Sequence, residues 1–330
     1  MRNNYTNMYS IIPVVITIDD KYSLPASVAI ISLLRNARKK VKYQIIIVTD
    51  DLSKRNEALL IRGFKKYNSF YGLIVKKVKN LKIVEIWENT LHKSHFSKEI
   101  LYRLALADIL PEYDKVILTD VDVIFCGDLD ESFVMYSENE DWHIAGVKFL
   151  NDIIPFFNTY RGFSEETINL LKYKGVSTGY CILNLKQLRM DNMPENYFTF
   201  YINNMDNLLQ PEQDTISICS YPKLKYLPAK YLSCTFLYSL SSENYKNDPN
   251  HSNDELIEAI NFPIQIHFVA KPKPWESKKI IHGDKWFYYL TKSPYLYQYL
   301  LTKIITFLNQ IKKKLKKYIL SILSFQIKLK

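Results

Sequence analysis

Short apolar runs closed by acids alternate with stretches of helical spacing up to Asp120. Ile11–Thr17 is an apolar run followed by Asp19-Asp20, and Tyr43–Val48 is another followed by Asp50-Asp51. Runs of this kind, without polar alternation, predict strands buried on both faces. Between them, Leu24–Leu34 repeats with helical spacing, and Pro25 falls in a tolerated first-turn position. Ser53 is placed to cap a helix running to about Phe64. Gly72–Val78 predicts a third strand, and Ser97 is placed to cap a helix carrying Ile100, Leu101, Leu104 and Leu106. Val116–Leu118, after the turn-like Asp114-Lys115, predicts a further buried strand. This β-α-β-α order predicts an α/β fold with a mostly parallel sheet and helices on both faces.

Beyond Asp122 the pattern is less regular. Trp142–Val147 and Tyr180–Leu185 predict strands, and Lys223–Leu227 and Pro263–Phe268 are shorter candidates. No Gly/Ser/Pro-rich linker interrupts the chain, so residues 1–284 read as one domain. A different pattern follows. Leu301, Ile304, Leu308, Ile311, Leu315, Tyr318, Ile322, Phe325 and Leu329 recur at steps of three and four, one apolar stripe on a long helix or on two shorter ones.

Charge separates the same two parts. The 330 residues carry a formal net charge of +10, and the last acid is Asp284. Residues 285–330 hold ten lysines and no arginine or acid, so the whole excess belongs to this tail. A basic amphipathic helix suits an anionic membrane surface, here through residues 297–330. A coiled coil or a partner-binding helix is the alternative. Few aromatics are set among the tail lysines, so no nucleic-acid partner is expected.

The composition, 47% hydrophobic and 14% aromatic, supports a large core. The N-terminus lacks the apolar segment of a secretory signal, and no stretch is long and apolar enough to span a bilayer, which predicts a cytoplasmic protein. Cys126, Cys181, Cys219 and Cys234 show no C-x-x-C spacing and are expected to be buried free thiols.

Asp120-Val121-Asp122 stands at the end of the Val116–Leu118 run. Ligands of open α/β sheets collect at the C-terminal ends of strands. Two carboxylates there are suited to hold a divalent cation against a substrate phosphate. Taken alone, the pair is equally a solvated strand end. A second copy, Asp128-Leu129-Asp130, lies in a polar, Gly-containing stretch and reads as a turn and helix start.

Other segments bear on this choice. His267-Phe268-Val269-Ala270-Lys271-Pro272-Lys273-Pro274-Trp275 resembles the His-x-x-Gly-x-x-Lys-Pro-Trp signature of glycosyltransferase family eight, retaining sugar transferases that include lipopolysaccharide galactosyl- and glucosyltransferases. Thr17-Ile18-Asp19-Asp20-Lys21-Tyr22, Tyr102-Arg103-Leu104, Val176-Ser177-Thr178-Gly179-Tyr180 and Glu212-Gln213-Asp214 are similar to further elements of that family, in family order. The resemblance implies a GT-A-type, Rossmann-like single domain with a mixed, mostly parallel sheet, followed by the basic helical tail. It implies a UDP-sugar donor, UDP-galactose or UDP-glucose, and a manganese or other divalent ion on Asp120, Asp122 and His267. Thr17, Asp19, Tyr22, Arg103, Asp120, Val121, Thr178, Gly179, Glu212, Gln213, Ala270 and Lys273 are implied to bind the donor. Gln213 and Glu212 are the implied catalytic residues, with Gln213 on the β face of the sugar. The implied acceptor is a glycan or lipid-linked glycan, lipopolysaccharide core or another surface glycan, met at the inner face of the cytoplasmic membrane.

The chain departs from the family pattern at several positions. Ala270 replaces Gly, Ser177 replaces Asn, Glu212 replaces Asp, and Lys21 replaces Asn. Lys148 stands about where some members carry an acceptor-side Asp. Two other classes share parts of the pattern. A phosphatase of the haloacid dehalogenase type would use Asp120 as nucleophile, but that motif usually opens its domain, and His267 has no role in it. An inactive glycan- or lipid-surface module would not need Asp120, Asp122, His267 and Lys273 together.

Overall fold

The structure is a computed structural model that describes residues 10–78, 81–90, 97–150, 159–160, 162–239, 248–269, 271–277 and 279–328, with backbone alone at 81–82 and 317–328. Its centre is a seven-stranded sheet. The strands are β1 (Ser10–Thr17), β2 (Val41–Thr49), β3 (Phe70–Lys77), β4 (Lys115–Thr119), β6 (Ile144–Lys148), β7 (Val176–Asn184) and β8 (Leu224–Tyr226). Their order is β3-β2-β1-β4-β7-β6-β8. The β3-β2-β1-β4 half is parallel, β7 runs antiparallel to both β4 and β6, and β8 is parallel to β6. A second sheet orders β5 (Val123–Phe125), β10 (Gln265–His267) and β9 (Ser233–Cys234).

Burial on both faces explains why the strands read as unbroken apolar runs. Val14 and Ile16 of β1, Ile45 and Ile47 of β2, Ile117 of β4, and Tyr180 and Ile182 of β7 pack into one core. Their neighbours Val15, Ile46, Val48, Val116, Leu118, Cys181 and Leu183 pack into the other. Helix Ser23–Asn36 belongs to the first core, and the helices around Leu101–Leu110 and Met193–Tyr201 to the second. The predicted elements are present within one to four residues at each end, and Ser53 caps helix Lys54–Phe64 by accepting from Asn56 N. As expected, Asp128 sits in a turn, taking the main-chain N–H groups of Arg38 and Asp130 ahead of helix Asp130–Met135.

Two expectations are corrected. The helix after Ser97 is broken into Glu99–Tyr102, a 3₁₀ turn at Arg103–Ala105, and Leu106–Ile109, and Lys98 is its cap residue. The four thiols are free, but only Cys181 and Cys234 are fully buried. The first residues after Asp284 pack on the body. Trp286, Leu290, Tyr295 and Tyr299 are buried against the body, packing with Val28, Ile124, Ile266 and Phe268 or with the main core. From Leu300 to Lys316 helix Leu296–Lys328 stands exposed; Leu301, Ile304, Leu308, Ile311 and Leu315 all face solvent. The side chains of Tyr318, Ile322, Phe325 and Leu329 lie outside the described residues. No helix among the described residues is long and apolar enough to cross a membrane.

Candidate active site

Strand β4 carries Asp120 off the C-terminal edge of the main sheet, and β5 begins three residues later. Asp122 is therefore held between the two sheets. Its carbonyl accepts from Phe268 N at 2.9 Å, and β10 pairs antiparallel to β5 with His267 opposite Val123. This pairing brings His267 to the two acids. Its Nε2 lies 3.4 Å from Asp120 Oδ2 and 3.2 Å from Asp122 Oδ1. One ligand atom from each of the three residues lies within 4.8 Å of the others, a spacing suited to a metal ion.

Gly179 makes room for that histidine. A Cβ there would sit 2.7 Å from His267 Cε1 and 2.8 Å from Nδ1. The Gly179 carbonyl accepts from Asp120 N at 3.1 Å, so the glycine fixes the backbone of the acid while clearing space for the histidine. Gln265, which the sequence reading missed, supports the same joint: its Nε2 donates to Thr119 Oγ1 at 2.8 Å.

Cations compensate the acids. Lys273 Nζ lies 2.6 Å from Asp122 Oδ2 and donates also to the carbonyls of Phe268 and Val269. Burial opposes a charge on Asp122, but His267 and Lys273 hold its carboxyl well below the usual range. Burial likewise opposes an imidazolium at His267, and Asp122 and Asp120 nevertheless raise it to about 10. The break in the Leu101–Leu110 helix exposes Arg103 to the same region. This buried guanidinium donates to Thr17 Oγ1 at 3.2 Å, to Glu212 Oε1 at 3.1 Å and to Asp120 Oδ1.

Helix Pro211–Ser220 supplies the opposite wall, with Pro211 in its first turn. Asp214 is fully buried and accepts from Tyr160 OH, Leu209 N and Gln210 N, which locks the turn entering the helix. Burial pushes its carboxyl up to about 7 despite these donors. Glu212 turns inward to Arg103 and to Thr178 Oγ1 at 3.0 Å. Gln213 Oε1 accepts from Thr178 N at 3.1 Å.

These residues line one cavity of about 620 Å³. Thr17, Tyr22, Arg103, Asp120, Val121, Asp122, Thr178, Gly179, Glu212, Gln213, His267 and Lys273 all border it. Asp19 does not; it accepts from Tyr22 N at 3.0 Å and shapes the turn that presents the Tyr22 ring, which meets Trp275 edge-on at 6.2 Å. Ala270 lies outside the described residues. The wall also includes Glu99, Leu232, Cys234 and Phe236, which the sequence reading did not assign. Strand β9 is two residues long, too short to show periodicity, and Glu99 reads from sequence as an ordinary first-turn acid.

The model of glycosyl transferase family 8 matches residues 13–279, a span that contains every strand but the start of β1. The chain belongs to glycosyl transferase family 8. The match is to this family and not to the aspartate-nucleophile phosphatases. Glycosyltransferase 8 domain-containing protein 2 of Homo sapiens is 21% identical over 198 residues, covering 56% of this chain and 55% of that protein. The Bos taurus protein of the same name is 21% identical over 298 residues, covering 83% and 80%. The chain thus spans about half the length of the human relative. Among solved structures, the galactosyltransferase LgtC with donor and acceptor sugar analogs superposes with a TM-score of 0.71 at 15% identity, covering 86% of this chain and 96% of that one. The bifunctional glycosyltransferase WbbM superposes at 0.63 with 18% identity, covering 88% and 51%. At these identities the likeness is one of fold, and the fold of this family 8 transferase is the GT-A-like α/β architecture.

Proposed function

We propose that this transferase moves a hexose, galactose or glucose, from a UDP-sugar to a glycan acceptor with retention of configuration. The observation that carries this reading is the meeting of Asp120, Asp122, His267, Arg103 and Lys273 at one cavity in a family 8 fold. The donor set fits a divalent cation. Two carboxylates and the imidazole Nε2 converge, while His267 Nδ1 is buried away from solvent. Mixed oxygen and nitrogen ligation favours manganese over calcium. A cation held by these residues supplies Lewis-acid stabilisation of the charge on a departing diphosphate.

The chain's own groups perform the remaining work. Lys273, fixed by Asp122 and two carbonyls, offers a point charge to a diphosphate oxygen. Arg103 orients Asp120 and is itself held by Glu212, which gives Glu212 a positioning role. Gln213 presents an amide whose oxygen already accepts from Thr178 N. That oxygen is the nucleophilic atom of an amide, and engaging it argues against a covalent glycosyl-enzyme. We favour front-side attack within an oxocarbenium-like ion pair, with the leaving phosphate accepting the proton of the acceptor hydroxyl. Gln213 then positions the ring.

For the acceptor we propose a lipid-linked surface glycan, lipopolysaccharide core or a relative, met at the inner face of the cytoplasmic membrane. Support comes from helix Leu296–Lys328, whose exposed apolar residues and lysines suit an anionic bilayer surface. In domain terms, this makes a catalytic body ending near Tyr299 and a docking tail beyond it.

The test is UDP release from a panel of UDP-sugars with manganese or with chelator. Release from UDP-galactose or UDP-glucose that stops with chelator is expected, with an axial product anomer by NMR for an α-linked donor. Chelator-insensitive turnover, phosphate release without nucleotide sugar, or an inverted product refutes the reading. Asp122→Asn is expected to lower release by at least about 100-fold, the scale of losing a metal ligand, while circular dichroism stays native.

A further inference from the structure

The strand order brings one more cation to the cavity. Strands β4 and β6 both pair antiparallel with β7, so they are parallel to each other and end at the same edge of the sheet. β4 leads into Asp120, and Lys148 is the last residue of β6. Two interstrand spacings separate them, roughly 10 Å. Between them stands the start of β7, where Thr178 holds Gln213. Lys148 therefore lines the same cavity as Asp120 and Asp122, from the other side of β7.

Two other cations of the cavity are already neutralised. Arg103 faces Asp120 and Glu212, and Lys273 faces Asp122. Lys148 has no ion-pair partner among the described residues, and its Nζ lies 4.4 Å over the Tyr226 ring. Glu255, the nearest acid acting on it, is held by His251 Nδ1 at 3.1 Å and by Ala229 N at 2.8 Å. Burial and the neighbouring Lys174 lower the pKa of this ammonium, as expected of a cation without a counter-charge.

The backbone beneath it is fixed. His251 Nε2 donates to the Lys148 carbonyl at 3.1 Å, and Asn250 Nδ2 donates to the Phe149 carbonyl at 2.8 Å. A half-buried ammonium on a fixed backbone, without an ion-pair partner among the described residues, is suited to act as a specificity element in this cavity.

We propose that Lys148 selects an acidic acceptor by pairing with a phosphate or carboxylate carried on the sugar that receives the hexose. This inference rests on the transferase reading above. The test supplies wild-type protein with manganese, the UDP-sugar it cleaves, and p-nitrophenyl hexosides bearing a free C6 hydroxyl, a 6-phosphate or a C6 carboxylate. A kcat/KM about tenfold or more higher for a charged acceptor is expected, the scale of one partly screened ion pair. The phosphate and carboxylate arms tell which anion is read. Lys148→Gln is expected to lose the preference through a higher KM for the charged acceptor, and Lys148→Arg to keep it. UDP release with equal transfer to neutral and charged acceptors overturns this inference alone. A preference that survives in Lys148→Gln does the same. No cleavage of any nucleotide sugar overturns the transferase reading and this inference together. The wild-type comparison decides the matter even if the Gln variant fails to fold.

Discussion

Replacing Gly179 by alanine tests the geometry of the metal group without touching a charged residue. The new methyl would lie 2.7 Å from His267 Cε1, about 0.7 Å short of the 3.4 Å at which ordinary contact begins, and 3.1 Å from Leu232 Cδ1. Neither neighbour yields easily. His267 is pinned between β5 and β9, and Gly179 is tied to Asp120 N. The imidazole must therefore tilt by several tenths of an ångström, or β7 must separate from β4. Overpacking of this size costs about 1–3 kcal/mol, roughly 1–4 °C in Tm for a chain of this length. The larger effect falls on the cation, because ligand distances tolerate only about ±0.2 Å. The half-saturating manganese concentration for UDP release is expected to rise about tenfold or more, with melting measured in parallel by calorimetry. A Gly179→Ala protein with wild-type manganese dependence would show that His267 and Gly179 do not share a site in the working enzyme, and the ligand assignment would fall with it.

Other predictions follow from the buried charges and the tail. Arg103→Met leaves Glu212 and Asp120 without their guanidinium, and stability in urea should fall by about 3–5 kcal/mol; an unchanged midpoint would mean the triangle is not a structural joint. Burial disfavours a charged His251, yet Glu255 and the Lys148 carbonyl raise its pKa above the ordinary 6.5. The folded state therefore binds this proton more tightly than the unfolded chain, and the stabilisation is complete below 6.5 and fades as pH rises through the folded value. Urea titrations of wild type and His251→Gln between pH 6 and 9 should converge at the alkaline end, whereas parallel curves contradict the pairing. A chain ending at Tyr299 should keep UDP release but no longer sediment with phosphatidylglycerol vesicles, and equal sedimentation of both forms rules out the docking role.

The strands were legible because both faces of the sheet are covered, so β1, β2 and β4 show as unbroken apolar runs between acids. Asp120, Asp122 and His267 were legible through motifs. Their functional neighbours were less so. Gln265 and Glu99 are polar residues inside apolar surroundings, and nothing in their flanking sequence separates them from surface positions. The helix break at Arg103 left no proline or glycine as a mark. Charge changes at Asp284, whereas Trp286, Leu290 and Tyr299 still pack against Phe268 and Ile124, a contact that no charge pattern reveals.

By itself the sequence determined the element order and the family and named the candidate ligands, because hydrophobic period and short motifs are local properties of a chain. Only the tertiary structure decided what those residues face. The antiparallel pairing of β10 with β5 carries His267 to Asp122, and β7, inserted between β4 and β6, sets Thr178 and Gln213 between Asp120 and Lys148. Distances between residues far apart in sequence follow from strand register and from how closely two backbones can approach. At this site that approach is set by the missing side chain of Gly179.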